Sequence, residues 1–375
     1  MSYKILFLAS DLSYGGAEKM LSFVAESLAE RGHTVSILSM METDTPARNI
    51  NEKIAVTYVK SDGLKGVRSV RVLSAIGKCI RQVKPDVIVS FKYMQNLYAA
   101  LAGKMTGVPV IISERGDPQY ESRTGLKGSL YWSIINSAKG AVFQTEGAKA
   151  YYKPSLTDRS VVIPNPVWKN KADEDDLNTD CVASEQSKKV VATFGRISNH
   201  QKRYDVMIEA FSLFHQTHPE YILKIYGYGE DEELVKGWIR EQGLEENVFL
   251  CGFTSNPIEA CKNSKMFLIT SDYEGISNSL LEAMAAGMPV ISTDSPPGGA
   301  AMLIQDHKNG LLVPIRDVQA IAKAMEEYAD NEDLRMYCGN QAQEVLTKYA
   351  PEKIIDAWET YIERILRKQC GAGEE

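Results

Sequence analysis

The chain has 375 residues, 44% of them hydrophobic and 24% charged, with a formal net charge of −7. That length exceeds one ordinary hydrophobic core, so two domains are expected, and the composition excludes a disordered chain. No apolar stretch approaches the roughly 20 residues of a membrane-spanning helix.

The first apolar run, within YKILFLA, is short. It reads as a first strand rather than the core of a signal peptide. GGAEK follows at 15–19. A helix is expected from about Ala17, because Met20, Leu21, Val24 and Leu28 recur at helical spacing. Gly15 and Gly16 would let a ligand approach the backbone where helix amides favour anions. The pattern is not G-x-G-x-x-G, and no acidic ribose partner ends the second strand, so a dinucleotide is disfavoured.

Further β runs follow: TVSILSM, IAVTYV, DVIVSF, PVIIS, GAVFQ and SVVIP. Helical stretches separate most of them. Residues 1–168 hold 21 Lys and Arg against 14 Asp and Glu, a net +7, whereas the remainder holds 21 against 35, a net −14. The first half is therefore expected to face something anionic. Much of the excess lies between Lys60 and Lys84. There Arg68, Arg71, Lys78 and Arg81 share one helical face, with Val70, Leu73, Ile76 and Ile80 on the other. A basic amphipathic helix can lie on an anionic membrane. An ordinary surface helix with its apolar stripe in the core fits as well.

The polar segment 169–188 reads as a linker. The second half restarts with KVVATFG, then YILKIYG, NVFLCG, KMFLI, PVIST and GLLVP, again with helices between. Strands alternating with helices imply doubly wound parallel sheets, in which ligands bind beyond the carboxyl ends of the strands. The expected division is a first Rossmann-like domain at 1–168, the linker, and a second domain at 189–350. An amphipathic last helix, 351–368, is expected to return to the first. The six cysteines are scattered without metal or redox spacing, which suits a reduced cytoplasmic protein.

Three loops of the second half carry charge or glycine. Gly195 and Arg196 follow its first strand, and Lys202 precedes a helix. Two cations there would suit a diphosphate and the charge on a departing phosphate. Gly227, Tyr228 and Gly229 form a turn that either passes beneath a nucleotide base or simply joins strand to helix. Ser277, Asn278 and Ser279 are capping residues for a helix whose first amides lack intrahelical partners.

That helix lies within EGISNSLLEAMAAGMPVI, which runs from Glu274 to Ile291 and holds a second carboxylate, Glu282. Its neighbours Leu280, Leu281, Ala283, Met284, Ala285 and Ala286 make the helix look apolar all round, and so buried. Glu282 then needs a polar partner, for which a hydroxyl-rich ligand is a candidate. Escape to solvent at the helix edge is the alternative.

Glu274-x7-Glu282 in this setting resembles the signature of glycosyltransferase family 4. Gly195-Arg196-Ile197, Lys202 with Asp205, GGAEK and NGLLVP at 309–314 support the likeness along nearly the whole chain. The resemblance implies the GT-B fold, two Rossmann-like doubly wound parallel-sheet domains facing a central cleft. It implies transfer from a nucleotide sugar, with a UDP-sugar expected, with retention of anomeric configuration. The second domain would hold the donor and the first the acceptor. Arg196 and Lys202 would bind the diphosphate, Glu282 the ribose, and Glu274 the donor sugar near its 3- and 4-hydroxyls. Backbone amides around Ile276, Ser277, Asn278, Ser279 and Leu280 would hold sugar and phosphate. No cofactor, metal or nucleic-acid partner is expected.

Relatives often place a His in the first domain. Here the first domain's His33 reads as structural. Ser113-Glu114-Arg115-Gly116-Asp117-Pro118 is the corresponding loop. Glu114, Arg115 and Asp117 would order acceptor or sugar, or else form a local salt-bridged turn; the two readings stand level. ISERGDP resembles enzymes of bacterial surface-polysaccharide and lipid-linked oligosaccharide assembly. That implies a lipid-linked glycan acceptor and a cytoplasmic enzyme, peripheral at the inner face of the cell membrane. Two carboxylates would also suit a glycosidase. That assignment is set aside, because Glu282 has a role on ribose and the cations point to a phosphate leaving group. A GT-B sugar-nucleotide epimerase and a transferase to a soluble acceptor are the alternatives.

Overall fold

A computed structural model describes residues 1–12, 15–41, 50–59, 68–119, 125–169 and 188–370. They form two compact units, Met1–Asn165 with Glu352–Glu375, and Pro166–Pro351. The linker expected at 169–188 falls, except for its ends, outside the described residues.

In the first unit the strands are β1 (Lys4–Ala9), β2 (Thr34–Ser39), β3 (Ala55–Tyr58), β4 (Val87–Phe91), β5 (Val110–Ser113), β6 (Gly140–Phe143) and β7 (Ser160–Val162). They lie in the order β3-β2-β1-β4-β5-β6-β7, every pair parallel. The order reverses at β1 and β4, the topological switch point at which such sheets bind ligands. Alternate residues of β1 enter different cores: Ile5 and Phe7 one, Leu6 and Leu8 the other. Burial on both faces explains why these strands read as continuous apolar runs.

The second unit repeats the scheme with β8 (Lys189–Phe194), β9 (Tyr221–Tyr226), β10 (Val248–Gly252), β11 (Met266–Ile269), β12 (Val290–Thr293) and β13 (Leu311–Val313). Their order is β10-β9-β8-β11-β12-β13, again all parallel, with the switch at β8 and β11. Each of the thirteen strands among the described residues falls within a run expected from sequence.

The last helix, Pro351–Cys370, belongs to the first unit. Its Ile354, Ile355, Trp358, Ile362 and Ile365 share a core with Ile5, Phe7 and Phe91. Trp358 stacks on Phe91 with ring centroids 5.7 Å apart. Tyr361 donates to the Arg159 carbonyl at 2.5 Å and accepts from the Ala141 amide at 2.8 Å. Tyr361→Phe would leave both backbone groups short of a partner. We expect a loss of about 1–3 kcal/mol, read as a lower denaturation midpoint, because unmet buried groups pay their desolvation in full. His33 is structural: it is buried, its Nδ1 accepts from the Tyr3 amide at 3.1 Å, and its Nε2 lies 3.0 Å from Glu359 Oε1.

The basic helix is Arg68–Val83. Its apolar stripe differs from the expected one. Val72, Ile76, Cys79 and Ile80 are buried, while Val70 is 67% exposed and Leu73 half-buried. Val70 sits off the 72/76/79/80 row, where the 3.6-residue period leaves it facing out. Arg71, Lys78 and Arg81 are exposed, and the Arg68 side chain lies outside the described residues.

Candidate active site

The second unit gathers most of the candidates at the β8/β11 switch point. Lys202, the last residue of the short helix Asn199–Lys202 after β8, forms an ion pair with Glu274 in the loop after β11. Both side chains are half-buried. Glu274 also accepts from the Ser271 hydroxyl at 3.4 Å, and its amide donates to the Pro296 carbonyl at 2.8 Å. Arg196 lies further out, its side chain 74% exposed and its Nε 3.7 Å from Glu230. Asp205 pairs with Arg203 and not with Lys202.

Gly227 and Gly229 have a local explanation. The Gly195 amide donates to Tyr226, and the Ile197 amide to Tyr228, both at 3.0 Å. A Cβ on Gly227 would lie 1.9 Å from the Gly195 carbonyl oxygen, and one on Gly229 2.0 Å from that of Ile197. These glycines let the loop after β9 lie directly on the loop that carries Arg196. Tyr228 between them is exposed and meets Phe253 edge-on, with centroids 5.8 Å apart.

The helix after Glu274 is Asn278–Ala285. Ser277 caps it, its side chain accepting from the Leu280 amide at 3.5 Å. Ile276, Ser277 and Leu280 are buried, and Asn278 and Ser279 half-buried. Glu282 requires a correction: this helix is not apolar all round. Leu280, Leu281, Ala283, Met284 and Ala285 are buried, but Asn278, Ser279, Glu282 and Ala286 form a more accessible strip. Positions four apart share a helix face. Glu282 is thus half-buried beside Asn278 rather than sealed in a core.

Sequence reasoning missed a second ionic cluster. Asp272 is 3% exposed and accepts from Arg316 Nη2 at 2.6 Å, Arg316 Nε at 2.9 Å and Arg203 Nη1 at 3.0 Å. Burial alone would raise its carboxyl, but the two guanidiniums outweigh that and hold it below the usual carboxylate range. Tyr204 is buried, which raises its phenol well above normal, with Glu274 adding to the shift.

In the first unit Gly15 caps the helix Gly16–Glu30 at the β1/β4 switch point. Glu18, 4% exposed, lies in its first turn. It accepts from Ser10 Oγ at 2.9 Å and pairs with Lys92, which follows β4 with a positive φ of 72°. Neither charge was singled out from sequence.

The loop after β5 holds Glu114, Arg115 and Asp117. Glu114 is 3% exposed and uses both oxygens: Oε1 takes the amides of Arg115 (2.9 Å) and Gly116 (3.2 Å), and Oε2 the Tyr152 hydroxyl (2.7 Å). Burial pushes this carboxyl up, and those donors offset it only in part. Arg115 sits over the rings of Phe91 and Trp358, at 4.8 and 5.5 Å, and donates to Asn165 at 3.1 Å. Burial lowers its guanidinium to about 9, with Glu114 acting the other way. Among the described residues Arg115 Nε and Nη2 and Asp117 Oδ2 are buried without a hydrogen-bond partner. Among the described residues no group of His, Cys, Asp or Glu is arranged to hold a metal.

Comparison with known proteins gives these loops a context. The family model for Glycosyltransferase Family 4 matches residues 14–168, and that for Glycosyl transferases group 1 matches 179–345. An uncharacterized glycosyltransferase of Haemophilus influenzae is 22% identical over 94% of this chain and 97% of its own length. The GalNAc-alpha-(1->4)-GalNAc-alpha-(1->3)-diNAcBac-PP-undecaprenol alpha-1,4-N-acetyl-D-galactosaminyltransferase of Campylobacter jejuni is 26% identical over 95% of this chain and 97% of its own. Among solved structures, that of HepE from Anabaena, in complex with UDP and glucose, superimposes with a TM-score of 0.81. It is 17% identical and covers 96% of this chain and 100% of its own, a likeness of fold. With two parallel-sheet units and family models matching on both, the chain belongs to the family 4 glycosyltransferases of GT-B fold.

Proposed function

We propose that this glycosyltransferase moves a hexose or N-acetylhexosamine from a UDP-sugar to a lipid-linked glycan, with retention, in cell-surface polysaccharide or oligosaccharide assembly. The observation that carries the reading is the Lys202–Glu274 pair at the β8/β11 switch point, one turn from the capped start of a helix. Lys202 and Arg196 take the donor diphosphate and stabilise the charge that grows as the phosphate leaves. Amides from Ile276 to Leu280 add donors, Glu274 orients the sugar through its 3- and 4-hydroxyls, and Glu282 takes the ribose. The two glutamates are not an acid/base couple, since Glu274 is engaged by a lysine. The departing phosphate accepts the acceptor's proton on the face it leaves, so catalysis is positioning and electrostatics.

The first unit is assigned the acceptor, with Arg115 and Asp117 as the groups that have donors and an oxygen to offer. Glu114 holds their loop. Gly15 and Gly16 leave the backbone at the start of the first helix open to an anionic ligand. The name of the Campylobacter relative supports a polyprenyl-diphosphate-linked acceptor, and HepE with UDP and glucose supports the nucleotide. Among the described residues no helix is long and apolar enough to cross a membrane. The exposed Arg71, Lys78 and Arg81, with Val70 beside them, suit a peripheral seat on an anionic cytoplasmic membrane face.

A screen of UDP-glucose, UDP-galactose and their N-acetylated forms tests the reaction class. UDP should appear only when a lipid-linked acceptor is added. Conversion of a UDP-sugar without acceptor would mark an epimerase and overturn the proposal. Glu282→Ala should weaken donor binding about 10- to 100-fold, the worth of a charge-assisted hydrogen bond, and leave the fold intact. Unchanged donor affinity would remove the ribose role.

A further inference from the structure

The Asp272 cluster has no part in the chemistry above, yet it is built at some cost. Five non-glycine residues among those described have positive φ, and two of them, Arg203 (54°) and Arg316 (59°), donate to Asp272. Side chains in this conformation are strained and persist where the surroundings over-determine them. The cluster ties three loops that the sequence holds far apart. Arg203 follows β8, Asp272 follows β11 and Arg316 follows β13.

Backbone bonds reinforce the tie. The Asp272 amide donates to the Gln201 carbonyl at 2.8 Å. The Thr270 hydroxyl lies 2.9 Å from the Lys202 carbonyl and 3.1 Å from that of Arg203. Arg203 also grips Asp205 through Nε and Nη2, at 2.9 and 2.7 Å. Lys202 and Glu274 therefore sit one and two residues from members of a single ionic cluster, in which Asp272 is buried, Arg203 half-buried and Arg316 exposed.

We infer that Arg316, acting through Asp272 and Arg203, is a positioning residue that sets the place of Lys202 and Glu274 in the donor site. In this role Arg316 acts through the carboxylate and not on the donor. It fixes the carboxylate to which both donor loops are anchored, and bidentate Arg–carboxylate geometry supplies the directional constraint. The inference rests on the donor-site reading of Lys202 and Glu274 given above.

The test uses UDP as the probe, with its Kd measured by calorimetry on the full chain and thermal melting measured without ligand. Arg316→Gly relieves the left-handed backbone while it removes one of the two guanidiniums on Asp272, so the two effects offset in part and the variant should still fold and melt in a single transition within a few degrees of wild type. UDP affinity should nevertheless fall about tenfold or more, because a small misplacement of a charged group is costly. Asp272→Asn should weaken UDP similarly, and Arg316→Gly is the variant that separates this from a folding defect. Lys202→Ala supplies the reference. If it weakens UDP and Arg316→Gly adds nothing further on top of it, Arg316 acts through Lys202. Full additivity, or UDP affinity unchanged in Arg316→Gly alone, overturns the positioning role. A Lys202→Ala variant that binds UDP as well as wild type overturns the donor-site reading and this inference with it.

Discussion

Replacing Arg196 and Lys202 together by alanine is expected to abolish sugar transfer. The two cations are not equal. Lys202 is half-buried and already paired with Glu274, so its charge acts where water screens little. Arg196 is 74% exposed with a 3.7 Å partner, a setting in which ionic contacts contribute little. Lys202→Ala should therefore cost about 100- to 1,000-fold in kcat, the usual loss when one group stabilising transition-state charge is removed. Arg196→Ala should cost about tenfold, an effect of about 1.4 kcal/mol. Steady-state UDP release from the donor identified in the screen measures both. Near-normal turnover in the double variant would overturn the diphosphate assignment. Melting must be followed in parallel, because Lys202→Ala leaves Glu274 with the Ser271 hydroxyl in place of a cation.

Gly299→Ala should be the most damaging small substitution in the second unit. A Cβ there would lie 1.5 Å from the Gly275 carbonyl oxygen and 3.2 Å from Ile276 Cα. Both obstacles are backbone, so no rotamer change relieves them. The residue that must move follows Glu274 directly, so the strain enters the candidate site. We expect a loss of about 3 kcal/mol, the upper part of the range for overpacking. For a unit of this size that is a fall of about 6–12 °C in Tm. Gly237→Ala is the control. Nothing lies within 4 Å of its would-be Cβ, and it sits inside the helix Glu232–Glu241. It should be neutral or stabilising by about 0.5–1 kcal/mol. A Gly299→Ala protein that melts with wild type would show that the 275–299 approach is loose.

Much of this architecture was legible from residue order. KILFLA, VIVSF and MFLI are apolar on both faces, and only a strand covered on both sides buries such a run. Gly195, Lys202, Glu274 and Ser277 follow strands of a parallel sheet, so their placement at its carboxyl end followed from topology. Exposure was less legible. Val70 was placed by helical periodicity and Glu282 by the apolar residues around it, and neither tells what covers a side chain. Ala286 illustrates the difficulty: an alanine reads as core in a sequence, yet here it extends the accessible strip that carries Glu282.

The sequence by itself determined the order of strands and helices, the glycine and cation positions that follow particular strands, and the family to which the chain belongs. These are local properties, set by backbone preference and by which faces are apolar within a few residues. The tertiary structure alone decided the pairings. Lys202 meets Glu274, 72 residues away, and Arg316 meets Asp272 across 44. Glycines 227 and 229 owe their identity to the backbone of 195–197 lying against them. Such partners are joined by the packing of parallel strands whose crossovers carry helices, so no spacing along the chain records which loops will touch.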